Sequence, residues 1–299
     1  MHILVAGGTG FIGRHLVEHL RLNGHKVTTV SRFKKPNETI TWQELRFGQA
    51  PKDATHLVNL SGNAWEGWNS YSDRNHLDVK GSSTSAMEKF ETSRLATAAV
   101  CKAYALERAE QGKPLACFIQ GSAFWYYHSN LETQTHIYTE YDEGGYQDLF
   151  SRHTRAWEEA ARMPQGHETR SVIIRTGQVL EPSGGLMRKM RLQGGYMGSG
   201  RNPLNWVHMD DQIDLIYYAL TNHHVDGVLN AIAPDQVDHR DLARLMSLKR
   251  SWISERRALK WFGAARYRQW TGGAWVEPER TLEMGYHFKF NTLGTLSFK

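Results

Sequence analysis

Three glycines at a fixed spacing are the first residues whose types suggest chemistry. Gly7, Gly10 and Gly13 fall within Gly7-Gly8-Thr9-Gly10-Phe11-Ile12-Gly13. Without side chains at these points, backbone N–H groups can close around an anion. Met1-His2-Ile3-Leu4-Val5-Ala6 precedes them, a continuous apolar run of the kind a buried parallel strand needs. Phe11, Ile12, Leu16, Val17 and Leu20 follow at helical spacing, and Gly24 is placed to end that helix. A strand, a glycine turn and a helix N-terminus form the place where a dinucleotide pyrophosphate rests. Gly7 permits the tight turn, Gly10 the close approach of phosphate, and Gly13 the packing of helix on strand. Thr9, Phe11 and Ile12 complete the loop and the first helical turn. The glycines alone are a weak signal, and the flanking strand and helix patterns make it specific.

Two further junctions bear on the same ligand. Lys26-Val27-Thr28-Thr29-Val30 reads as a second strand, ending in Ser31-Arg32 with Lys34 and Lys35 beyond. An NAD site carries an acid here for the ribose hydroxyls, and none is present. Arg32 can instead pair with the 2′-phosphate of NADP, with Ser31 adding a hydroxyl. Thr39-Ile40-Thr41-Trp42 is read as a third strand and His56-Leu57-Val58-Asn59-Leu60 as a fourth. The fourth ends in Ser61-Gly62, so Leu60, Ser61 and Gly62 are expected against the cofactor. Trp65, Trp68 and Tyr71 follow, as pocket lining or as core in equal measure.

Groups able to move protons come later. Leu115 to Gln120 is a strand that runs into Gly121-Ser122-Ala123-Phe124-Trp125-Tyr126-Tyr127-His128. Open α/β sheets bind ligands beyond the carboxyl ends of their strands, where Gly121 and Ser122 would stand. Tyr126 and Tyr127 follow closely enough to reach the same cleft, or simply pack. A helix is read from about Phe150 to Ala161. Ser171-Val172-Ile173-Ile174-Arg175 is a further buried strand, placing Arg175 among the expected cofactor residues. No His/Cys cluster has metal-ligand spacing.

The totals set the frame. The 299 residues suit a sheet domain plus a smaller lobe, here read as 1–180 and 181–299, with parts of 205–232 completing the sheet. Hydrophobic content of 40% and charged content of 22% are ordinary for a globular chain with a sizeable core. No run approaches the length of a membrane span, and a strand rather than a targeting peptide is expected at the start. Cys101 and Cys117 are too few for a disulfide framework and read as packing residues in a reducing compartment, the cytoplasm. The net charge of +5 is scattered, without a Lys/Arg block, so nucleic-acid binding is not expected.

Together these stretches resemble the extended short-chain dehydrogenase/reductase superfamily, in its epimerase-like subgroup. The resemblance rests on Gly7 to Gly13, Val58 to Gly62, Ser93-Arg94, Arg175-Thr176-Gly177, Gly198-Ser199-Gly200, Trp206 to Asp211, Gly227 to Asn230 with Ala233-Pro234, and Pro278 through Tyr286. It departs from the pattern at 75–92, which is longer and more polar, and near 247–269. It implies an α/β fold, a doubly wound Rossmann-type parallel sheet with a smaller C-terminal α/β lobe, and NADP(H) as cofactor. It does not imply a particular substrate; a small molecule of unknown identity is expected, and a homodimer is left open.

In that superfamily a serine, a tyrosine and a lysine four residues on serve hydride transfer. Ser122 matches the serine. The tyrosine position falls on Phe150 and the lysine position on Thr154, and neither side chain can do the work. Tyr126 or Tyr127 is the substitute proton donor; His128 and His153 could also act as acid or base, and Arg152 or Arg155 could hold a phosphate or lower a tyrosine pKa. Two readings follow: an NADP(H)-dependent oxidoreductase or epimerase-like enzyme acting on a small hydroxyl- or carbonyl-bearing metabolite, or a catalytically silent NADP(H)-binding sensor or scaffold. Asp210 and Asp211, just before an apolar helix, are read as cap and dipole partners. His208 is read as a packed loop residue.

Overall fold

The computed structural model describes residues 1–34, 38–62, 82–127, 136–146, 148–196, 198–248 and 253–296. Lys35, Trp65, Trp68, Tyr71, His128 and the start of the 75–92 segment lie outside the described residues. In chain order the elements are β1 (His2–Ala6), α1 (Phe11–Leu22), β2 (Lys26–Ser31), β3 (Thr39–Thr41), α2 (Trp42–Arg46), β4 (His56–Asn59), α3 (Ser82–Glu110) and β5 (Cys117–Ala123). There follow β6 (Ile137–Tyr138), α4 (Leu149–Ala161), β7 (Arg170–Thr176), β8 (Gln178–Leu180), α5 (Gly185–Gln193), β9 (Trp206–His208) and α6 (Met209–Thr221). Last come β10 (Gly227–Ala231), α7 (His239–Leu245), α8 (Glu255–Thr271, broken at Gly263), β11 (Trp275–Val276) and α9 (Glu279–Glu283).

Seven strands form one sheet in the order β10-β7-β5-β4-β1-β2-β3. The pairs β1–β2, β1–β4, β2–β3 and β4–β5 are parallel. Chain order reverses at β1, with β2 on one side and β4 on the other, which makes this the topological switch point of a doubly wound α/β fold. Two short parallel pairs, β6–β11 and β8–β9, stand apart from the sheet.

The chain divides into two compact units, Met1–Gly121 with Ala156–Ile173, and Ser122–Arg155 with Ile174–Lys299. In the first, β1 is buried along its whole length, as its unbroken apolar run dictates. Leu16 and Leu20 of α1 are fully buried, each contributing about 1.5–3 kcal/mol. Trp42 begins α2 rather than ending β3, because Thr41 caps that helix: its hydroxyl accepts from Glu44 N–H, and the Glu44 carboxylate accepts from Thr41 N–H. Cys101 and Cys117 are free and buried. Burial pushes both thiols up, Cys117 to about 12, which keeps them protonated packing groups.

In the second unit, Leu180, Met187, Leu204, Trp206 and Leu242 pack into one apolar cluster. Phe124, Tyr126, Tyr127, Ile232, Ala274 and Val276 form another. Asp211 is completely buried and binds the C-terminal stretch, accepting from Lys289 N–H at 2.8 Å and Phe290 N–H at 2.9 Å. The cap of α6 is therefore not an aspartate. His208 takes that position, its Nδ1 accepting from Asp210 N–H at 3.2 Å. Backbone donors brought from far along the chain claim Asp211, and local spacing could not show this.

Candidate cofactor cradle and tyrosine cluster

In the first unit the glycine turn is built by exclusion of side chains. Gly7 has φ 79°, in the left-handed region. A Cβ there would lie 2.8 Å from the Leu60 carbonyl carbon and 2.9 Å from Ser61 N. A Cβ on Gly13 would lie 2.1 Å from Gly7 O. Gly10 N–H donates to Gly7 O at 2.9 Å, closing the turn. Gly10 is also the N-cap of α1; it brings no capping side chain, and the first turn contains no acid. The positive end of the helix is thus left for an anion.

The opposite wall is the end of β4. Asn59 is fully buried, and its Nδ2 donates to Gln120 Oε1 at 2.9 Å. Its Oδ1 accepts from Ser61 N–H at 3.1 Å and from the Ser61 hydroxyl. Gln120 Nε2 in turn donates to Gly121 O at 2.7 Å. This amide pair fixes Ser61 beside Gly7, and a Cβ on Gly121 would meet Asn59 O at 3.1 Å. Sequence reasoning missed Asn59 and Gln120. The available signal was a polar residue at the end of each of two apolar strands, and these residues pair across β4 and β5.

Beyond β2, the Ser31 hydroxyl donates to Phe33 O, and Arg32 is exposed. Lys34 pairs with Glu44 at 2.6 Å, and that contact holds the Glu44 carboxyl down at about 2. Arg32 is the basic side chain next to the strand end, where an NAD site would carry an acid. Thr9 is exposed, and Phe11 and Ile12 are half-buried at the head of α1.

The second unit holds the tyrosines. The phenol of Tyr127 is buried and accepts from Arg175 Nη1 at 2.8 Å. Asn230 Nδ2 donates to Glu277 O at 2.9 Å, so its Oδ1 is the acceptor for the Tyr127 hydroxyl, also at 2.9 Å. Burial pushes the Tyr127 phenol above its usual range, against the partly opposing effect of Arg175. A phenol so held keeps its proton. Arg175 is itself 2% exposed, with its guanidinium 3.3 Å from the Tyr126 ring centroid. It is thus a neighbour of both tyrosines.

Tyr126 is placed differently. Arg155 of α4 donates from Nη1 to its hydroxyl at 3.3 Å and to Gly144 O at 2.7 Å. The Arg155 guanidinium also lies over the Tyr146 ring at 3.7 Å. Gly144 packs so closely that a Cβ would lie 2.5 Å from the Tyr126 ring. Ser122 is buried at the end of β5. Phe150 packs against Trp125 in a tilted arrangement with ring centroids 5.4 Å apart, and the Thr154 hydroxyl donates to Phe150 O at 2.8 Å. The structure brings Tyr126, Tyr127, Arg155 and Arg175 together and gives Phe150 and Thr154 no proton-relay geometry. Among the described residues no group of His, Cys, Asp or Glu side chains could hold a metal ion, and no helix is long and apolar enough to cross a membrane.

Residues 3–79 match the model of the NAD dependent epimerase/dehydratase family, which takes in the glycine turn and Leu60 to Gly62. The human epimerase family protein SDR39U1 is 36% identical to this chain, covering 98% of it and 97% of that protein. The chain belongs to the epimerase family proteins. Another family member, YfhF of Bacillus subtilis, is 29% identical over 83% of this chain and 79% of its own length. The crystal structure of human SDR39U1 isoform 2 with NADPH superposes with a TM-score of 0.84 at 33% identity, covering 98% and 97% of the two chains. At 15% identity and a TM-score of 0.69, the UDP-glucose 4-epimerase of Thermotoga maritima shares the fold, over 97% of this chain and 94% of its own. The membership expected from the sequence motifs is the membership found.

Proposed function

We propose that this protein is an NADP(H)-dependent oxidoreductase or epimerase-type enzyme acting on a small hydroxyl- or carbonyl-bearing metabolite. The observation that carries the cofactor half is the contact between the glycine turn and the Leu60–Ser61 backbone, a cradle that a Cβ at Gly7 would fill. The human relative solved with NADPH supports the same reading. Gly7, Thr9, Gly10, Phe11, Ile12 and Gly13 would enclose the pyrophosphate, with Leu60, Ser61, Gly62 and Gly121 facing the ribose side. Arg32, with Ser31, would take the 2′-phosphate through a fork that matches phosphate oxygens.

The bound cofactor supplies or accepts a hydride. The protein's task is to move one proton at the substrate oxygen. Tyr126 is assigned that task, at its phenolic oxygen. Arg155 donates to that oxygen and would stabilise the charge left when the proton departs. Arg175 stands against the ring face as a second cation. Tyr127 and Arg175 serve as the frame that holds Tyr126. Ser122 is assigned a hydrogen bond to the substrate.

The test is a paired titration with NADPH and NADH, then a screen of carbonyl substrates for oxidation of NADPH. NADPH should bind at least about tenfold tighter than NADH, and Arg32→Ala should erase the preference. Tyr126→Phe should abolish turnover and leave NADPH affinity nearly intact; unchanged turnover would sink the assignment. A second reading is a cofactor-binding protein without catalysis, favoured by Thr154, whose hydroxyl is spent on the Phe150 carbonyl. It requires tight NADPH binding with no carbonyl reduced.

A further inference from the structure

Glu140 is a buried carboxylate that the cofactor cradle and the proton-transfer assignment leave without a role. It lies just beyond β6, and its hydrogen-bond partners come from far along the chain. Oε1 accepts from Asn230 N–H of β10 at 2.8 Å, from Thr281 N–H at 3.1 Å and from the Thr281 hydroxyl at 2.7 Å. Oε2 accepts from Arg280 N–H at 3.1 Å. Arg280 and Thr281 belong to α9, so one side chain ties the stretch after β6 to both β10 and α9. All four partners donate. A carboxylate accepts at both oxygens, whereas an amide in its place would turn N–H groups toward a donor. Burying a carboxylate costs more than packing an apolar side chain there. What it brings is direction, because four donors in fixed positions allow it one orientation.

The same stretch reaches the proposed proton donor. Gly144, four residues beyond Glu140, packs on Tyr126: a Cβ there would lie 2.5 Å from two ring carbons. Its carbonyl accepts from Arg155 Nη1 at 2.7 Å, and that Nη1 also donates to the Tyr126 hydroxyl at 3.3 Å. Backbone held at Glu140 thus sets both the ring and the guanidinium that meet at the phenolic oxygen. A second route runs through side chains. Asn230, held at its N–H by Glu140, accepts from the Tyr127 hydroxyl. Tyr127 in turn accepts from Arg175, whose guanidinium lies on the Tyr126 ring. Burial is the main reason that the Tyr127 phenol stands above its usual range, and the Glu140 charge adds to it, so Tyr127 remains a donor to Asn230. Both routes end at Tyr126, and both lie within the second compact unit.

We infer that Glu140 is a positioning residue for proton transfer, holding the Gly144 loop and Asn230 so that the Tyr126 hydroxyl meets Arg155 and the substrate oxygen. This rests on the proposed role of Tyr126 as proton donor. Glu140 itself touches neither cofactor nor substrate in this account.

The experiment joins fluorine NMR to kinetics on the full chain. The protein is labelled with 3-fluorotyrosine, and the Tyr126 line among its 12 tyrosines is assigned from the spectrum of Tyr126→Phe. Kinetics use NADPH with 4-nitrobenzaldehyde, or whichever carbonyl compound the screen shows to be reduced faster. Glu140→Gln should displace or split the Tyr126 line and lower kcat by about tenfold or more. KM for the carbonyl compound and NADPH affinity should stay within about twofold of wild type. Glu140→Asp keeps the carboxylate on a shorter arm and should fall between wild type and Glu140→Gln. Thr281→Val removes one hydrogen bond to the same carboxylate without touching the Gly144 loop. It should lower the urea midpoint and leave both kcat and the Tyr126 line as in wild type. An unmoved Tyr126 line in Glu140→Gln, or the same changes in Thr281→Val, would make Glu140 a stability contact only and overturn the inference. Where Glu140→Gln does not fold, Glu140→Asp decides: wild-type line and kcat overturn the inference, and a displaced line with reduced kcat upholds it. Turnover that survives in Tyr126→Phe, or a screen without any substrate, removes the proton-donor reading and this inference with it.

Discussion

Arg175 donates from Nη1 to the Tyr127 oxygen at 2.8 Å, and the Tyr127 hydroxyl donates in turn to Asn230 Oδ1 at 2.9 Å. All three residues are buried, and the chain of bonds runs from β7 through the cluster to β10. Removing the central hydroxyl takes one acceptor from a buried cation and leaves an amide oxygen without this donor. Tyr127→Phe is therefore expected to destabilise the fold by about 1–3 kcal/mol. Urea unfolding measures this directly, as a lower midpoint at unchanged slope. A midpoint within error of wild type would show that water replaces the hydroxyl and that the frame is not rigid.

Gly144 offers a second handle on the neighbouring phenol. The ideal Cβ position is 2.2 Å from Tyr126 O and 2.5 Å from two ring carbons, so Gly144→Ala must displace the ring or the loop. The expected outcome is a large fall in turnover, on the order of a hundredfold if the phenol moves by about an ångström. NADPH affinity should hold, because Gly144 and the glycine cradle belong to different compact units. Steady-state kinetics with a carbonyl substrate, alongside nucleotide titration, separates the two. Turnover that survives would argue against Tyr126 as the proton donor.

Local signals carried the contiguous elements of both units and failed for the long-range side-chain pairs, for a physical reason. The β1 strand, the glycine turn and α1 are contiguous, so composition and spacing specify them together. The strand at Cys117–Ala123 and the helix at Leu149–Ala161 were legible in the same way, from apolar runs and helical periodicity. By contrast, the partners of Asn59, Tyr127 and Asp211 lie 61, 103 and 78 residues away. No window along the chain reports such pairs. Asp211 illustrates the cost: its position suggested a helix cap, and its burial against Lys289 and Phe290 N–H gives it to the C-terminal stretch. Arg155 and Tyr126 were both candidates on residue type, but only the fold of β6 and the Gly144 loop brings one to the other.

Gly13 tests the cradle itself. Its missing Cβ would fall 2.1 Å from Gly7 O, a distance no relaxation of a flexible side chain can relieve, because the obstacle is backbone. Gly13→Ala should push α1 off β1, lowering stability by about 1–3 kcal/mol and reducing nucleotide binding below detection. Gly24→Ala is the control: nothing lies within 4 Å of its Cβ, and its φ of 75° alone makes it mildly strained. Thermal melting of both variants with and without NADPH should show ligand stabilisation lost in the first and kept in the second. A Gly13→Ala variant that binds normally would remove the steric argument for the glycine turn.

His208 gives the fold an acid-sensitive helix cap. Its Nδ1 accepts from Asp210 N–H at 3.2 Å, and its ring packs against that of Phe290, tilted, with centroids 3.8 Å apart. Burial lowers its pKa below the usual 6.5, outweighing the carboxylates of Asp210, Asp211 and Glu181, which act to raise it. The native state therefore binds the proton less readily than the unfolded chain. The sign follows: the contribution of His208 is fully present above pH 6.5 and is lost as pH falls through that value toward the lower folded one. Protonated Nδ1 can no longer accept from Asp210, so the cap goes with the charge. Asparagine keeps an acceptor at the N-cap but does not titrate. His208→Asn should therefore be less stable than wild type near neutrality, where it lacks the ring contact. It should lose less of its unfolding free energy between roughly pH 7.5 and pH 5.5 than wild type does. Urea unfolding at several pH values measures both, and parallel pH profiles for the two proteins would show that His208 does not titrate in the folding transition.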